Sequence, residues 1–295
     1  MTFRKQIRWK KWTILTAIIL LCHLLLSFLI TKIIYDSIFR RYDYDGSAIT
    51  DSALIEMMHP VSFPSGENLL AGQLYDGPGD SLVVIAQGIH SHSGNFASVI
   101  REMADDRDVF IFDMTGSCES EGKSAIGFSQ AVYDLHAALD YIGSAYSYEE
   151  IFLLGHSRGG YAACCVLPER TDVDGVVAIN SPNSPMDAVI GSSVNAVGWI
   201  AYGNYPMLYL YQAMLFDFQT VSQKASDAIA ESDVPVLIIQ AQQDETVRWD
   251  RHSVYAHKKE SPNTQFILID GSHSSVLHEE NPTFWAEIDL FFQNS

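Results

Sequence analysis

The stretch Ile151–Cys165, IFLLGHSRGGYAACC, runs from an apolar strand pattern through a glycine-rich turn straight into a helix pattern. Residues 155–159 read G-H-S-R-G, a G-x-S-x-G sequence that becomes specific only in such a strand-turn-helix setting. The turn strains the serine backbone, and its two glycines let strand and helix approach each other. We predict that it aims the Ser157 hydroxyl at a helix N-terminus, where backbone N–H groups favour a developing anion. A structural Gly-Ser turn is the alternative.

Outward from this stretch, continuous apolar runs alternate with helical patterns. Such runs are typical of strands buried on both faces of a parallel sheet. The segment Leu69–Tyr75 instead alternates and follows the turn signal at 64–66, which predicts an antiparallel hairpin at a sheet edge. We therefore predict an α/β fold, a mostly parallel sheet with right-handed crossovers and helices on both faces. The predicted parallel strands are SLVVIAQG, DVFIFDM, IFLLGH, GVVAIN, PVLIIQAQ and TQFILIDG.

One long segment, at 181–232, breaks this alternation. It carries seven aromatic residues and five charged ones. A connection of this length usually has structure and function of its own. We predict a mainly helical cap over the strand ends, with an insertion packed on the side of the sheet as the alternative.

An activated serine needs a base that accepts its proton and a third group that holds the base. Asp244 comes just after PVLIIQAQ and His273 just after TQFILIDG, each separated from the run by one residue. Because open α/β sheets gather their active sites at the carboxyl ends of strands, we predict Asp244 as the acid and His273 as the base. Nearby His278 is expected to make only a surface or helix-entry contact.

This order of serine, acid and histidine along the chain is that of the α/β-hydrolases. From about His59 onward, the chain resembles the lysophospholipase, monoglyceride lipase and serine aminopeptidase-like group of that superfamily. Phe112–Gly122, FDMTGSCESEG, is similar to the group's D-x-R-G-x-G-x-S-x-G segment, with Thr115 and Cys118 replacing the arginine and the second glycine. The stretch HSSVLHEENPTFWAEIDLFF resembles its closing histidine loop and helix.

The resemblance also implies an oxyanion hole. AQGIHSHSGNF, after the first buried strand, resembles the group's H-G-x-G loop, with Gln87 where histidine is usual. By this resemblance, the backbone N–H groups of Ile89 and Arg158 form the oxyanion hole, which stabilises the transition state of acyl transfer. The Arg158 side chain is expected to meet a negatively charged substrate group, or else to be solvated or ion-paired.

These residues predict a serine hydrolase that cleaves carboxylic esters through an acyl-enzyme, with neither metal nor organic cofactor. An aromatic cap and a membrane location favour small or lipid-like acyl esters. A serine aminopeptidase is the alternative. It would need acids that hold the substrate ammonium group, and the cap offers Asp187, Asp217, Asp227 and Glu231. A catalytically silent binding protein is a third hypothesis.

The segment Thr13–Thr31 contains no Asp, Glu, Lys or Arg in 19 residues. At about 1.5 Å per residue it nearly matches a hydrocarbon core of about 30 Å, which predicts one transmembrane helix. A cleaved signal peptide is the alternative, but the run exceeds the usual apolar region and no A-x-A-like site precedes Lys32. We divide the chain into a basic N-terminus at 1–12, a signal anchor at 13–35, a linker at 36–52 and a hydrolase domain at 53–295, with the cap insertion at about 181–232.

Charge is unevenly distributed around this helix. Five basic residues precede it and three follow it, which favours a cytoplasmic N-terminus and a catalytic domain on the outer side of the cell membrane. Of 18 basic and 36 acidic residues, 10 basic and 35 acidic ones follow residue 41, so that part carries −25. Such a body would repel nucleic acid and anionic headgroups. Only the helix should then hold the protein in a membrane, and a chain starting near Tyr42 is expected to be soluble and active.

The cysteines and clustered histidines predict no further chemistry. Cys22 lies in the anchor, Cys118 stands alone and the pair at 164–165 is adjacent, so they form neither a disulfide framework nor a zinc site. We expect the adjacent pair to be buried small hydrophobic residues. His90 and His92 have no further ligand at metal-binding spacing and are expected at the pocket rim.

Overall fold

A single sheet organises the part of the chain that the computed structural model describes, residues 2–44, 49–259, 261–278 and 282–295. Its strands are β1 (Met58–Ser65), β2 (Asn68–Tyr75), β3 (Ser81–Ala86), β4 (Asp108–Phe112), β5 (Glu150–His156), β6 (Gly175–Ile179), β7 (Val236–Ala241) and β8 (Thr264–Ile269). Their order in the sheet is β1-β2-β4-β3-β5-β6-β7-β8. β1 is antiparallel to β2 and β2 to β4, whereas the remaining pairs are parallel.

The structure confirms the strand predictions. Each of the six apolar runs forms a parallel strand, and residues 58–75 form an antiparallel hairpin whose first strand is the sheet edge. Phe63 of β1 pairs with Leu70 of β2, and both side chains are buried on the same face. The apolar runs are continuous because neighbouring strand residues enter different cores: Val84 belongs to one and Val83 to the other.

Helices cover both faces of this sheet. They are α1 (Thr2–Ile38), α2 (Ser52–Met57), α3 (Ala97–Met103), α4 (Phe128–Ala145), α5 (Arg158–Cys165), α6 (Pro185–Val197), α7 (Tyr205–Leu215), α8 (Phe218–Ser222), α9 (Ala225–Ala230) and α10 (Pro282–Gln293). α4 and α5 pack on one face, and α3 and α10 pack on the other. One apolar face of α4 is buried, namely Ala131, Leu135, Leu139 and Ile142.

The segment predicted as a cap is helical. Between β6 and β7 it contains α6, α7, α8 and α9, with a 3₁₀ segment at Gly198–Asn204. Ser184 caps the N-terminus of α6 by accepting a hydrogen bond from the Asp187 N–H, and Asp217 caps α8 through the Thr220 N–H. Leu208 and Tyr211 of α7 are buried against the rest of the protein.

The first helix has two different parts. Its stretch Lys11–Ile38 is long and apolar enough to cross a membrane, with a mean hydropathy of 2.6 in its most apolar window. From Trp12 to Ile34 most large apolar side chains are exposed. Near its end, however, Tyr35 is 1% exposed and packs edge-on against Tyr211 of α7. The end of α1 is therefore part of the folded body.

The segment predicted as a linker is also bound to the body. Phe39 is 1% exposed and packs against Phe128, and its carbonyl accepts a hydrogen bond from the Ala125 N–H. The Tyr42 N–H donates to the carbonyl of Gly116. Residues 39–44 of the predicted linker are thus held against the body by apolar packing and backbone hydrogen bonds. Residues 45–48 of that predicted linker, the basic side chains up to Lys10 and the stretch 279–281 lie outside the described residues.

Candidate active site

The G-x-S-x-G turn joins β5 to α5. Ser157 has φ 54° and ψ −116°, and its N–H donates a 2.9 Å hydrogen bond to the carbonyl of Ile179. A positive φ is rare for a residue with a side chain and persists where the surrounding structure enforces it. Gly159 lies so close to the backbone of Ala86 that a Cβ atom would collide with it. Close packing of α5 on the sheet therefore produces the strained turn.

Ser157, His273 and Asp244 lie in one chain of hydrogen bonds. The Nε2 atom of His273 is 3.0 Å from Oγ of Ser157, and its Nδ1 atom is 2.7 Å from Oδ2 of Asp244. A proton on Nδ1 that is donated to the carboxylate leaves Nε2 free to accept the serine proton. His278 is exposed and lies in a 3₁₀ turn at Ser275–His278. The structure thus brings the three predicted residues together without His278.

Asp244 is held by several donors. The carboxylate is buried, and its Oδ1 atom accepts hydrogen bonds of 2.8 Å from the N–H groups of both Thr246 and Val247. Its Oδ2 atom, which faces His273, also lies 3.4 Å from Nε2 of Gln240. The loop after β7 therefore fixes the direction in which this carboxylate points.

Two side chains hold the backbone of His273. Nε2 of His156 donates a 2.8 Å hydrogen bond to the His273 carbonyl, and Nδ2 of Asn180 donates a 2.7 Å hydrogen bond to the same oxygen. Burial, with a smaller effect of His273, lowers the pKa of His156 to about 3, so its ring is neutral and Nε2 carries the proton. Asn180 also accepts a hydrogen bond from the Ala241 N–H, which ties the His273 loop to β7.

Arg158 and Gly88, the residue before Ile89, lie beside Ser157. Arg158 is the first residue of α5, where a backbone N–H has no partner within the helix. Gly88 precedes Ile89, and a Cβ atom built on Gly88 would lie 3.5 Å from Cβ of Ser157. The loop after β3 therefore approaches Ser157 closely.

Gln87 ties this loop to the neighbouring strand. Its Nε2 atom donates hydrogen bonds to the carbonyl of Phe112, at 2.9 Å, and to Oδ1 of Asp113, at 3.2 Å. Both side chains are buried, and burial raises the pKa of Asp113 to about 6. The glutamine that replaces the usual histidine thus links the loop to the end of β4.

A comparison with protein families identifies the family of this chain. A family model described as serine aminopeptidase, S33, matches residues 77–233, more than half of the chain. The chain belongs to the S33 serine aminopeptidase family. The matched range includes the Ser157 turn, whereas Asp244 and His273 follow it. A comparison with curated proteins finds no match.

Solved structures show the α/β-hydrolase fold of this S33 family member. An esterase of Pyrococcus furiosus superposes with a TM-score of 0.66 at 18% identity, covering 87% of this chain and 98% of that one. Est1E from Butyrivibrio proteoclasticus, solved with ferulic acid, gives 0.62 at 18% identity over 80% and 100% of the two chains. A proline iminopeptidase of Mycobacterium smegmatis gives 0.55 at 16% identity over 80% and 98%.

The Arg158 side chain does not reach the active-site surface of this S33 family member. It is 1% exposed, and its guanidinium donates to the sulfur of Met114 and, at 3.4 Å, to the carbonyl of Ala125. Among the described residues no carboxylate pairs with it directly. Burial lowers its pKa to about 10, which leaves it charged at neutral pH. The expectations of a substrate contact, a solvated group or an ion pair are therefore wrong for this side chain.

Most of the cap acids are used in local bonds. Asp187 accepts a 2.6 Å hydrogen bond from the Ser184 hydroxyl at the start of α6. Asp217 bonds the backbone and side chain of Thr220, and Asp227 forms a 2.8 Å ion pair with Lys259. Glu231 is exposed just after α9. Three of the four acids therefore stabilise helix ends or bind a lysine.

His90, His92 and Cys118 lie against the segment that follows α1. His92 stacks on Tyr44 with ring centroids 3.7 Å apart, and His90 lies 5.6 Å from the Tyr42 ring. Burial raises the pKa of the Cys118 thiol to about 12, so this thiol stays protonated. The adjacent Cys164 and Cys165 are buried, as predicted.

Sequence reasoning missed the residues that support the histidine loop. His156 is the variable position within the G-x-S-x-G sequence, and Asn180 directly follows the apolar run of β6. A polar residue at the carboxyl end of a buried strand is a recognisable signal, because this edge carries the active site. The partner of Asn180, however, is the carbonyl of His273, and no side-chain pattern identifies that bond.

Proposed function

We propose that this protein is a serine hydrolase that cleaves carboxylic esters through a covalent acyl-enzyme. The observation that carries this proposal is the hydrogen-bonded chain from Ser157 through His273 to Asp244, with separations of 3.0 and 2.7 Å. The serine lies in a strained turn at the end of a strand, and the base is oriented by a buried carboxylate. These are the geometric requirements of an activated nucleophile.

In the first half-reaction, Nε2 of His273 takes the Ser157 hydroxyl proton as Oγ attacks the ester carbonyl. Asp244 stabilises the resulting imidazolium. The tetrahedral intermediate collapses when the protonated imidazole gives its proton to the leaving alcohol, and an acyl-serine remains. Water then attacks the acyl-serine with His273 as its base. The acid is released and the serine hydroxyl is restored.

The backbone N–H groups of Ile89 and Arg158 are the proposed oxyanion donors in both half-reactions. The Arg158 N–H stands at the free N-terminus of α5, where the helix dipole also favours negative charge. Donors of this kind are worth about 3–4 kcal/mol in the transition state. The His156 and Asn180 bonds to the His273 carbonyl support catalysis by holding the base in place.

Ester hydrolysis is favoured over aminopeptidase activity because most acidic residues of the cap already have local bonding partners. An aminopeptidase needs carboxylates that hold a substrate ammonium group, but Asp187, Asp217 and Asp227 already have local partners. The cap instead exposes large apolar side chains, among them Trp199 and Phe218. These side chains favour an acyl ester of lipid-like character.

We further propose that α1 anchors the enzyme in the cell membrane, with a cytoplasmic N-terminus and an exported catalytic body. Support comes from the apolar stretch at Lys11–Ile38 and from the excess of basic residues before it. Protease added to intact cells should digest the body. Full protection of the body would overturn this orientation.

The catalytic proposal is tested with a fluorophosphonate probe and a panel of acyl esters and aminoacyl amides. We expect the probe to label the full chain but not Ser157→Ala, and esters to be cleaved in preference to amides. Labelling of Ser157→Ala would show another nucleophile, and preferential cleavage of the amides would favour the aminopeptidase. A chain that neither reacts nor turns over any substrate would be a binding protein.

A further inference from the structure

A cavity of about 520 Å³ lies between α1 and the cap. This volume falls within the range of about 300–1,000 Å³ that is usual for ligand pockets. One wall is the first helix and the other is formed by α6, the 3₁₀ segment and α7. The apolar lining residues are Leu26, Ile30 and Ile34 from α1 and Val189, Ile190 and Leu208 from the cap.

The cavity runs from an exposed side to a buried side. On its α1 wall, Leu26, Ile30 and Ile34 are each about half exposed. Tyr35, Val189 and Ile190, which line the same cavity, are buried. A molecule can therefore enter from the exposed flank of α1 and reach the interior of the protein.

On the buried side, one lining residue, Tyr35, is close to the side chain that follows the proposed nucleophile in sequence. The Tyr35 hydroxyl fills the space beside Gly127, and it is near enough to the Arg158 guanidinium for the two groups to interact electrostatically. Arg158 is the residue next to Ser157 and opens the helix that the nucleophile precedes. One residue of the cavity wall is thus near the first residue of α5, the helix that follows Ser157.

The cavity mouth lies at the depth of lipid chains when α1 spans a bilayer. Counted from Trp12 at about 1.5 Å per residue, a hydrocarbon core of about 30 Å ends near Thr31. The lining residues of α1 begin at His23 and end at Tyr35. They therefore occupy the leaflet nearest the body and its boundary with the headgroups.

The exposed side chains of the cap suit the membrane interface at this depth. Trp199 is 80% exposed, and Tyr202 and Tyr205 beside it are also exposed. Tryptophan and tyrosine are enriched at membrane interfaces because their rings are apolar and carry a polar tip. Farther along, Met214 and Phe218 are exposed as well. This part of the cap is suited to lie in the headgroup region beside α1.

Three polar residues of the cavity wall bond to each other. Asn204 accepts from the Ser27 hydroxyl and donates to the Thr31 hydroxyl, and Thr31 donates in turn to the carbonyl of Ser27, at 2.9 Å. This cluster joins α1 to the 3₁₀ segment of the cap. Because its hydrogen-bonding capacity is largely used, the cavity suits an alkyl chain better than a polar headgroup.

We propose that this cavity holds the acyl chain of a lipid substrate, which enters laterally from the bilayer between α1 and the cap. The proposal rests on the proposed ester hydrolase function and on α1 spanning the membrane. In this arrangement the anchor helix is one wall of the substrate site. The lipid chain stays in apolar surroundings while its ester reaches Ser157.

The test uses the full chain in vesicles of ether-linked phosphatidylcholine, which contain no cleavable acyl ester. The probe is a fluorophosphonate with a dodecyl chain that carries a diazirine near its end. After reaction with Ser157 and irradiation, we expect crosslinks to 23–35 or 189–208. Reaction with Ser157 but crosslinks only elsewhere would overturn the cavity proposal. Failure to react with Ser157 would instead overturn the proposed function.

A cavity-filling variant provides a second test. The Ser193 hydroxyl donates a 2.8 Å hydrogen bond to the carbonyl of Val189 in its own helix, and the residue lines the cavity. Ser193→Trp should lower the ratio of dodecanoyl to acetyl ester turnover about tenfold or more. The indole would occupy part of the cavity, so several methylene groups of the dodecanoyl chain could no longer be buried there. Gln219→Trp, on exposed α8, is the matched control and should leave the ratio unchanged.

Ala201→Phe is a second cavity-filling variant, with its side chain entering from the 3₁₀ segment. It replaces Ser193→Trp in the test if that variant does not fold. A lowered dodecanoyl to acetyl ratio in either folded variant supports the proposal. An unchanged ratio in the folded variants would overturn it.

Discussion

Nε2 of His156 lies 2.8 Å from the carbonyl oxygen of His273, so the residue that precedes the nucleophile also holds the backbone of the proposed base. Since burial keeps the pKa of His156 at about 3, this ring donates the same hydrogen bond throughout the neutral range. Nucleophile and base are thereby connected through the backbone as well as through their side chains.

The proposed base is tested by comparing His273→Ala with His278→Ala. His273→Ala should lower kcat by several orders of magnitude, because Ser157 loses its proton acceptor; in a comparable triad such a loss costs about 10⁶. His278→Ala should leave kcat near the wild-type value, since that side chain is exposed. Ester turnover by both purified variants is the measurement, and the reverse result would move the base to His278.

Asn180 should matter more for kcat than for KM. Asn180→Ala removes a 2.7 Å hydrogen bond to the His273 carbonyl and leaves the buried Ala241 N–H without its acceptor. We expect kcat to fall about tenfold to a hundredfold and unfolding free energy to fall by about 1–3 kcal/mol. Asn263→Ala, at the opposite end of the sheet, is the control. A loss of stability with unchanged kcat would leave Asn180 a purely structural role.

The buried carboxyl of Asp113 predicts a pH-dependent stability. Burial raises its pKa to about 6 in the folded state, above the ordinary value of 3.8, so the folded state binds more protons between these values. This carboxyl therefore destabilises the fold progressively as pH rises from about 4 to 6. Asp113→Asn should gain about 3 kcal/mol relative to wild type between pH 4 and 8.

Denaturant unfolding at several pH values checks the Asp113 prediction. Asp105→Asn, which replaces an exposed carboxylate, serves as the control. A stability difference that stays constant with pH would show that Asp113 is not the group that titrates.

The chain starting near Tyr42, which the sequence alone predicts to be soluble and active, should instead be strongly destabilised. It lacks Tyr35 and Phe39, and each buried aromatic side chain contributes about 1.5–3 kcal/mol. A chain starting at Ser27 keeps both residues and most of the contacts with α7. Thermal unfolding and ester turnover of the two chains should differ, and equal stability would contradict the observed packing.

Arg41 and Arg40 form a matched pair for testing the segment after α1. The Arg41 guanidinium donates to the carbonyls of Ser120, Gly122 and Cys118, whereas the Arg40 side chain is exposed. Arg41→Ala should lower the free energy of unfolding by about 1–2 kcal/mol, reduced by partial solvent access. Arg40→Ala should change it little. Similar losses in both variants would indicate a general charge effect.

The strands and the three proposed catalytic residues could be predicted because each is marked by a short, continuous stretch of sequence. A buried parallel strand is continuously apolar, and active-site residues directly follow such strands. The end of α1 carried no comparable signal, because a helix that faces lipid and one that faces a protein core are both apolar. Tyr35 was therefore predicted as the end of an anchor and Phe39 as part of a linker. Burial of Arg158 was equally hidden, since charged side chains are rarely buried without a partner.

The attachment of α1 also limits where the enzyme can work. Its helix continues unbroken to Ile38, and Phe39 and Arg41 then bind loops of the body, so residues 35–44 tie α1 directly to the rest of the protein. An enzyme on a long tether can reach an opposing membrane or a soluble particle. With α1 in a membrane, as proposed, the body would be held close to the bilayer, and the proposed hydrolase would act in cis, on molecules of that same membrane.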